Sequence, residues 1–291
     1  MSSRTFRTIC ALAFASLCTI VLTGALVRLT GSGLGCADWP RCNETRFVDV
    51  SSGHTAIEQL NRLFTGVVSA AVIGAVLVAH ARTPRRRDLI ALAWGLVVGV
   101  LAQVLIGGIV VLTGLHPLAN MAHFLVSMVL VALAFALVRR SGDVHSGPWW
   151  RPLPPDLLVP VSVLAALAIG VIVAGTVVTA SGPHAGDENA PRLGLALEST
   201  ARVHGGLVVA LVAVLVLVLV RARRAGEASL LDAVHLVVGA TLVQAGIGYL
   251  QYFTDVPVVL VAVHIAGATF FWCTVVALVT RPPETVAIVR P

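Results

Sequence analysis

The chain alternates long apolar runs with short polar breaks. Eight of the runs are of membrane-crossing length: residues 9–30, 56–80, 89–113, 117–138, 157–180, 200–220, 230–252 and 257–280. Roughly 20 apolar residues, rising about 1.5 Å each, carry a helix through a hydrocarbon core about 30 Å thick. The pattern predicts an all-α integral membrane protein with eight transmembrane helices. The first run is too long for a signal-peptide core and no cleavage site follows its end, so it is expected to remain as a span.

The pattern also repeats. Residues 103–123, QVLIGGIVVLTGLHPLANMAH, return without a gap as 244–264, QAGIGYLQYFTDVPVVLVAVH, so that Gln103, Ile106, Gly107, Thr113 and His123 fall on Gln244, Ile247, Gly248, Thr254 and His264. Apolar matches carry little weight in so hydrophobic a chain, but Gln, Thr and His are scarce and coincide together. The first span ends in GALVRLTGSGLGC and the fifth in GTVVTASGPHAGD, which sets Gly24, Val27 and Gly31 on Gly175, Val178 and Gly182. The repeat unit is then four helices. Two pseudo-symmetric halves are expected at 1–138 and 157–291, joined by a linker over 139–156 that is rich in Pro, Trp and Arg.

Composition sharpens this reading. A net charge of +6 would suggest nucleic acid in a soluble protein, but 57% hydrophobic residues and a mean hydropathy of +0.94 exclude a soluble domain. The charge instead follows membrane topology, and no nucleic-acid partner is expected. Arg4 and Arg7 precede span one; Arg82, Arg85, Arg86 and Arg87 follow span two; Arg139, Arg140 and Arg151 follow span four; Arg221, Arg223 and Arg224 follow span six; Arg281 and Arg290 close the chain. Asp38, Glu44, Asp49, Asp187, Glu188 and Asp255 lie in the intervening loops. The positive-inside rule therefore predicts a multi-pass protein of the cell membrane with both termini cytoplasmic. The long loops 31–53 and 181–198 then lie outside and cap whatever the helices enclose. Cys36 and Cys42 share the first of them, in CADWPRC, where a disulfide is the expected state and a pair of free or metal-binding thiols the alternative. Cys10, Cys18 and Cys273 lie within spans and read as small buried apolar residues.

Ionisable groups inside a bilayer are functional candidates, and here they cluster. Glu58 and Arg62 lie on span two, His123 on span four, Arg202 and His204 on span six, and His264 on span eight, each within about two turns of the outer end of its helix. His204 and His264 match in depth, with Gly205, Gly206 and Gly267 beside them to admit a flat macrocycle, and two axial histidines from facing helices suit a haem b. The first half repeats this incompletely, because His123 matches His264 whereas Asn61 stands where His204 would fall. A haem held there has one histidine ligand and a weakly held or open opposite face. Glu58, one turn before Asn61 on the same helix face, either moves protons and stabilises positive charge or pairs with Arg62 at i, i+4. Arg28, Arg62 and Arg202 suit carboxylates such as haem propionates, with interfacial snorkelling as the alternative. His54, His80, His145, His184 and His235 receive no role; His116, before Pro117, reads as a turn residue or a proton shuttle.

The segments GALVRLTGSGLGC and CADWPRC, then IEQLNRL, PLANMAHF, ARVHGG and VLVAVHIAG, in this order, resemble the haem A synthase family over nearly the whole chain. The resemblance implies a membrane oxidoreductase that oxidises a ring methyl of haem O to a formyl group, through successive hydroxylations and loss of water, to give haem A for cytochrome oxidase assembly. It implies haem B as cofactor in the C-terminal half, on His204 and His264, and haem O as substrate in the N-terminal half, at His123 with Glu58 and Asn61 as the catalytic positions. Haem O synthase and an electron donor not identified by the sequence are the implied partners, and both a monomer and a homo-oligomer are open. Two departures stand out. The family's span-two pattern is Glu, two residues, then His-Arg, where this chain reads Glu58-Gln-Leu-Asn61-Arg62, and the second-half outer loop has no cysteine pair.

The main rival is a dihaem b-type membrane electron carrier, which predicts haems near both faces. A thiol oxidase using Cys36 and Cys42 leaves the histidines without a role, and a transporter predicts a purified protein without haem.

Overall fold

The computed structural model describes residues 3–142, 153 and 155–280. Of the sequence expectations, the interior of the linker, with His145 and Arg151, and the terminal Arg281 and Arg290 lie outside the described residues. The eight helices are α1 (Ser3–Leu29), α2 (Gly53–Ala81), α3 (Arg87–Leu112), α4 (Pro117–Ser141), α5 (Pro155–Ser181), α6 (Leu197–Ala225), α7 (Ala228–Phe253) and α8 (Val258–Val279). All eight are long and apolar enough to cross a membrane. Most outrun their apolar cores by a few residues, because polar flanks continue the helical hydrogen bonding until a cap stops it. Ser52 and Thr55 form a capping box before α2, Pro117 opens α4, and α6 ends at Gly226, whose φ of 70° accepts the left-handed cap. The exterior is apolar, with Val98 64%, Val159 67% and Leu242 64% exposed, which suits hydrocarbon rather than water. The chain is a multi-pass membrane protein.

Helices α1 to α4 pack as a ring, each against the next and α4 back on α1, and α5 to α8 do the same. The rings meet through α1 and α4 on one side and α5 and α8 on the other. Across that seam Trp272 Nε1 donates to the Met128 carbonyl at 2.9 Å, and the Gly33 amide donates to the Gly186 carbonyl at 2.8 Å. Leu115 packs between those two glycines.

Packing within each ring is uneven, and that positions the site. The first buried cluster draws Phe6 to Leu17 from α1, Val68 to Ala79 from α2, Leu89 to Val100 from α3 and Leu130 to Leu137 from α4. The second draws Leu157 to Ala168, Leu211 to Ala222, Leu230 to Ala240 and Phe271 to Leu278 from α5 to α8. Both clusters fill the arginine-rich end. There Asp88 also accepts from Arg86 at 2.8 Å and Arg140 at 2.7 Å. The opposite end of each ring, beneath the long loops, holds the polar residues instead.

Candidate functional site

Asn61, His123, His204 and His264 each stand about two turns into helices that begin at Gly53, Pro117, Leu197 and Val258. Each faces a glycine of the preceding helix. A Cβ on Gly107 would come 3.4 Å from His123 Cε1, one on Gly175 3.3 Å from His204 Cε1, one on Gly248 3.1 Å from His264 Cε1, and one on Gly24 3.9 Å from Asn61 Nδ2. A glycine is needed because the ring of the even-numbered helix lies against the backbone of the odd-numbered one. The repeats of Gly24 as Gly175 and of Gly107 as Gly248 are therefore four versions of one contact.

The matched glutamines have a matching task. Gln103 Nε2 donates to the His123 carbonyl at 2.9 Å, and Gln244 Nε2 donates to the His264 carbonyl at 2.8 Å. Each binds an odd helix to an even one at the level of the histidine; Gln103 also reaches Ser127 Oγ at 2.5 Å. Gly267 belongs to this contact, since a Cβ there would meet Gln244 Oε1 at 2.1 Å. The structure thus corrects one expectation: Gly267 clears space for a glutamine, not for a macrocycle. Gly205 and Gly206 have nothing within 4 Å of an added Cβ.

Three features fit the histidines to haem. Nδ1 of His123, His204 and His264 is buried without a hydrogen-bond partner and lies on the side of the ring that faces the glycine, which leaves Nε2 on the far side. His204 and His264 approach closely enough to interact electrostatically. Among the described residues no three His, Cys, Asp or Glu side chains converge on a metal position. Two imidazoles therefore suit an iron whose remaining ligands come with it, as in a porphyrin.

The first ring is completed differently. The Asn61 amide oxygen accepts from Thr23 Oγ1 at 2.7 Å, and His123 is the imidazole that faces a glycine in this half. Glu58 is 5% exposed. Its Oε2 accepts from the Cys36 amide at 2.7 Å and its Oε1 from Arg62 Nε at 3.0 Å. Arg62 also donates to the carbonyls of Asp38 at 2.9 Å, Arg41 at 3.2 Å and Cys36 at 3.0 Å. Cys36 and Cys42 are joined by a disulfide with an S–S distance of 2.00 Å. The loop they close is clamped to α2 by a carboxylate and a guanidinium, and it reaches α3 through Trp39, whose ring would lie 2.8 Å from a Cβ on Gly108. Gly108 adjoins the glycine that faces His123.

Each of the three arginines has a partner in the fold. Arg62 is committed to Glu58 and the disulfide loop. Arg202 is 74% exposed and pairs with Glu198 one turn away, an arrangement that contributes little in an exposed setting. Arg28 Nη2 donates across the seam to the Thr179 carbonyl at 2.7 Å. His54 meets Ser32 Oγ at 2.9 Å, His80 accepts from Trp94 Nε1 at 3.1 Å, and His184 donates to the Val256 carbonyl at 2.9 Å. Thr23, Trp39 and the odd-helix glycines went unassigned in the sequence reading. The Gly24 and Gly175 echo was the available signal for the glycines.

Comparisons with known proteins agree with this geometry. The family model described as COX15-CtaA, cytochrome oxidase assembly protein, matches residues 7–52 and 46–276. A protein named "Heme A synthase" from Geobacillus kaustophilus is 35% identical over 122 residues, 41% of this chain and 38% of that protein. One of the same name from Lysinibacillus sphaericus is 34% identical over 119 residues, 40% of this chain and 39% of the relative. A third, from Listeria welshimeri, is 35% identical over 136 residues, 44% of each. The chain thus spans about two fifths of the length of these curated relatives, while the family model runs through nearly all its helices. This chain belongs to the COX15-CtaA family of cytochrome oxidase assembly proteins.

Proposed function

We propose that the protein converts haem O to haem A, with haem B as its resident cofactor in the second ring and haem O bound in the first. The observation that carries this reading is the set of three imidazoles and one amide at a single depth, each seated on a glycine, at the end of the two rings away from their main buried clusters. Relatives bearing the name heme A synthase support it. A carrier moving electrons between haems at both faces does not account for a set confined to one end.

In this reading His204 and His264 would hold haem B, and His123 would hold the substrate haem. Asn61, held by Thr23, leaves the face opposite His123 without an imidazole. Glu58 keeps a carboxylate one turn from Asn61; tied to Arg62 and the Cys36 amide, it fixes the disulfide loop over the first ring and holds negative charge at its mouth. Bound haem supplies the redox chemistry that turns the ring methyl into a formyl group, while the protein sets ligation, access and charge. By the arginine distribution the site end lies toward the outer face and both termini toward the cytoplasm. Haem O synthase supplies the substrate, a separate donor supplies electrons, and cytochrome oxidase assembly consumes the product.

Expression with haem O synthase in cells lacking their own haem A tests the proposal. Extraction and chromatography should recover haem A from the cells, and the purified protein should carry haem B together with haem O or haem A. Glu58→Ala should keep haem B and accumulate haem O or a partly oxidised form of it. Full haem A production by Glu58→Ala, with loss confined to second-ring variants, would mean that the two rings have exchanged roles. A purified protein without haem would overturn the reading.

A further inference from the structure

At the seam between the rings two half-buried arginines each carry one buried guanidinium nitrogen with no hydrogen-bond partner. Arg28, near the end of α1, uses Nη2 on the Thr179 carbonyl at 2.7 Å, and its Nε is buried with no hydrogen-bond partner. Arg192, in the loop between α5 and α6, uses Nη2 on the Pro183 carbonyl at 2.7 Å, and its Nη1 is likewise buried and unpartnered. The loop that carries Arg192 packs on Arg28, since a Cβ on Gly186 would lie 3.5 Å from Arg28 Cγ and 3.8 Å from its Cα. Neither takes part in any of the ion pairs among the described residues. The backbone holds them in place, since the Leu193 amide donates to the Ala180 carbonyl at 3.2 Å, one residue beyond the carbonyl that Arg28 engages.

A guanidinium nitrogen that is shielded from water and unpartnered is unfavourable unless an acceptor meets it, and two such nitrogens on neighbouring cations favour an anionic acceptor. A planar guanidinium pair matches an oxyanion with two oxygens. Its place in the fold says which one. Thr179 lies one helical turn beyond Gly175, the residue that His204 lies against. The Arg28 guanidinium is therefore anchored about one turn from the glycine that faces His204, on the loop side, which makes a carboxylate of a group held at His204 and His264 the fitting partner.

We propose that Arg28 and Arg192 form a carboxylate site at the seam that holds a propionate of the second-ring haem, so that the first ring contributes a residue to the cofactor site of the second. This rests on the assignment of haem B to His204 and His264. It gives Arg28 a function for which its repeat-equivalent position, Thr179, has no side chain able to substitute. The pair is then a positioning device for the cofactor and a link between the two sites.

The test is transfer of haem B from the purified holoprotein to excess apomyoglobin. Arg192→Gln and Arg28→Gln should each speed transfer about tenfold, the equivalent of losing one hydrogen bond to a charged group, and Arg28→Lys should recover part of the loss. Wild-type protein reconstituted with haem B dimethyl ester, which has no carboxylates, should release it as fast as the variants release haem B. The variants should release the ester no faster than wild type does. Transfer rates equal to wild type would overturn the proposal, as would an acceleration that persists undiminished with the ester, which would make the pair a helix clamp. A phosphate-bearing lipid kept by the wild type and lost by the variants in native mass spectrometry, with haem transfer unchanged, would assign the pair to a lipid headgroup instead. Absence of haem B from the wild-type protein would overturn the cofactor assignment along with this one, whereas bound haem with unaltered kinetics overturns this one alone.

Discussion

In the first ring the glycine of α1 faces an amide at Asn61, whereas in the second ring the corresponding glycine of α5 faces an imidazole at His204. The remaining positions correspond: His123 and His264 rest on Gly107 and Gly248, and Gln103 and Gln244 bind the carbonyls of those histidines. The coverings differ as well. A disulfide loop held by Glu58 and Arg62 crosses the first ring and sets Trp39 on Gly108, while the position equivalent to Gly108 in the second ring is Tyr249, 61% exposed. The comparison teaches that one four-helix frame carries two differently equipped polar layers when a single position facing a glycine and the loop above it change. The frame itself, with glycine beneath each ring and glutamine across each helix pair, is kept.

The sharpest break of that comparison is removal of the imidazoles. His204→Ala and His264→Ala should each abolish retained haem B, because either removes one of two axial ligands, while His123→Ala should leave the haem B signal in place. Dithionite-reduced spectra of the purified variants report this. A normal low-spin haem b spectrum in both second-ring variants would show that the rings do not differ in the way described.

A second experiment makes the rings alike. Asn61→His supplies the missing imidazole opposite His123 and should tighten first-ring haem by about tenfold or more, with a low-spin signal added to the electron paramagnetic resonance spectrum of the ferric protein. Turnover should slow if conversion needs the open face. Unchanged spin state and retention would mean that the two sides of the first ring are too far apart to be bridged as in the second.

The smallest effect tests the shared frame. An alanine at Gly248 brings Cβ to 3.1 Å from the His264 ring, one at Gly107 brings it to 3.4 Å from His123, and one at Gly24 stays 3.9 Å from Asn61. Overpacking of this kind costs about 1–3 kcal/mol, so loss of thermal stability, followed by haem absorbance and circular dichroism, should rank Gly248→Ala above Gly107→Ala, with Gly24→Ala close to wild type. Equal losses at all three would mean that the clearance is not what selects glycine.

Some of this was legible along the chain because hydrophobic length and repeat spacing are local properties. Apolar runs marked all eight helices, the scarce residues Gln, Thr and His marked the duplication, and counting from the helix starts placed Asn61, His123, His204 and His264 at one depth. The arginines marked which helix ends share a side. The sequence also placed Cys36 and Cys42 in one loop, and the disulfide between them follows from that proximity.

The choice of partners depended on which helices become neighbours, and no period along a single helix encodes that. Arg62 was free in the sequence to meet a propionate, but with the loop folded over α2 four backbone and side-chain acceptors surround it. Arg28 lies within a span of the first half, yet its long side chain crosses the seam to the Thr179 carbonyl of α5. The contact of each histidine with a glycine joins residues that are 16 to 29 positions apart in the chain and is set by packing distance between antiparallel helices. Hydropathy determined what enters the membrane and how deep the polar residues sit; side-chain reach across helix interfaces, which only the assembled bundle defines, decided what each of them touches.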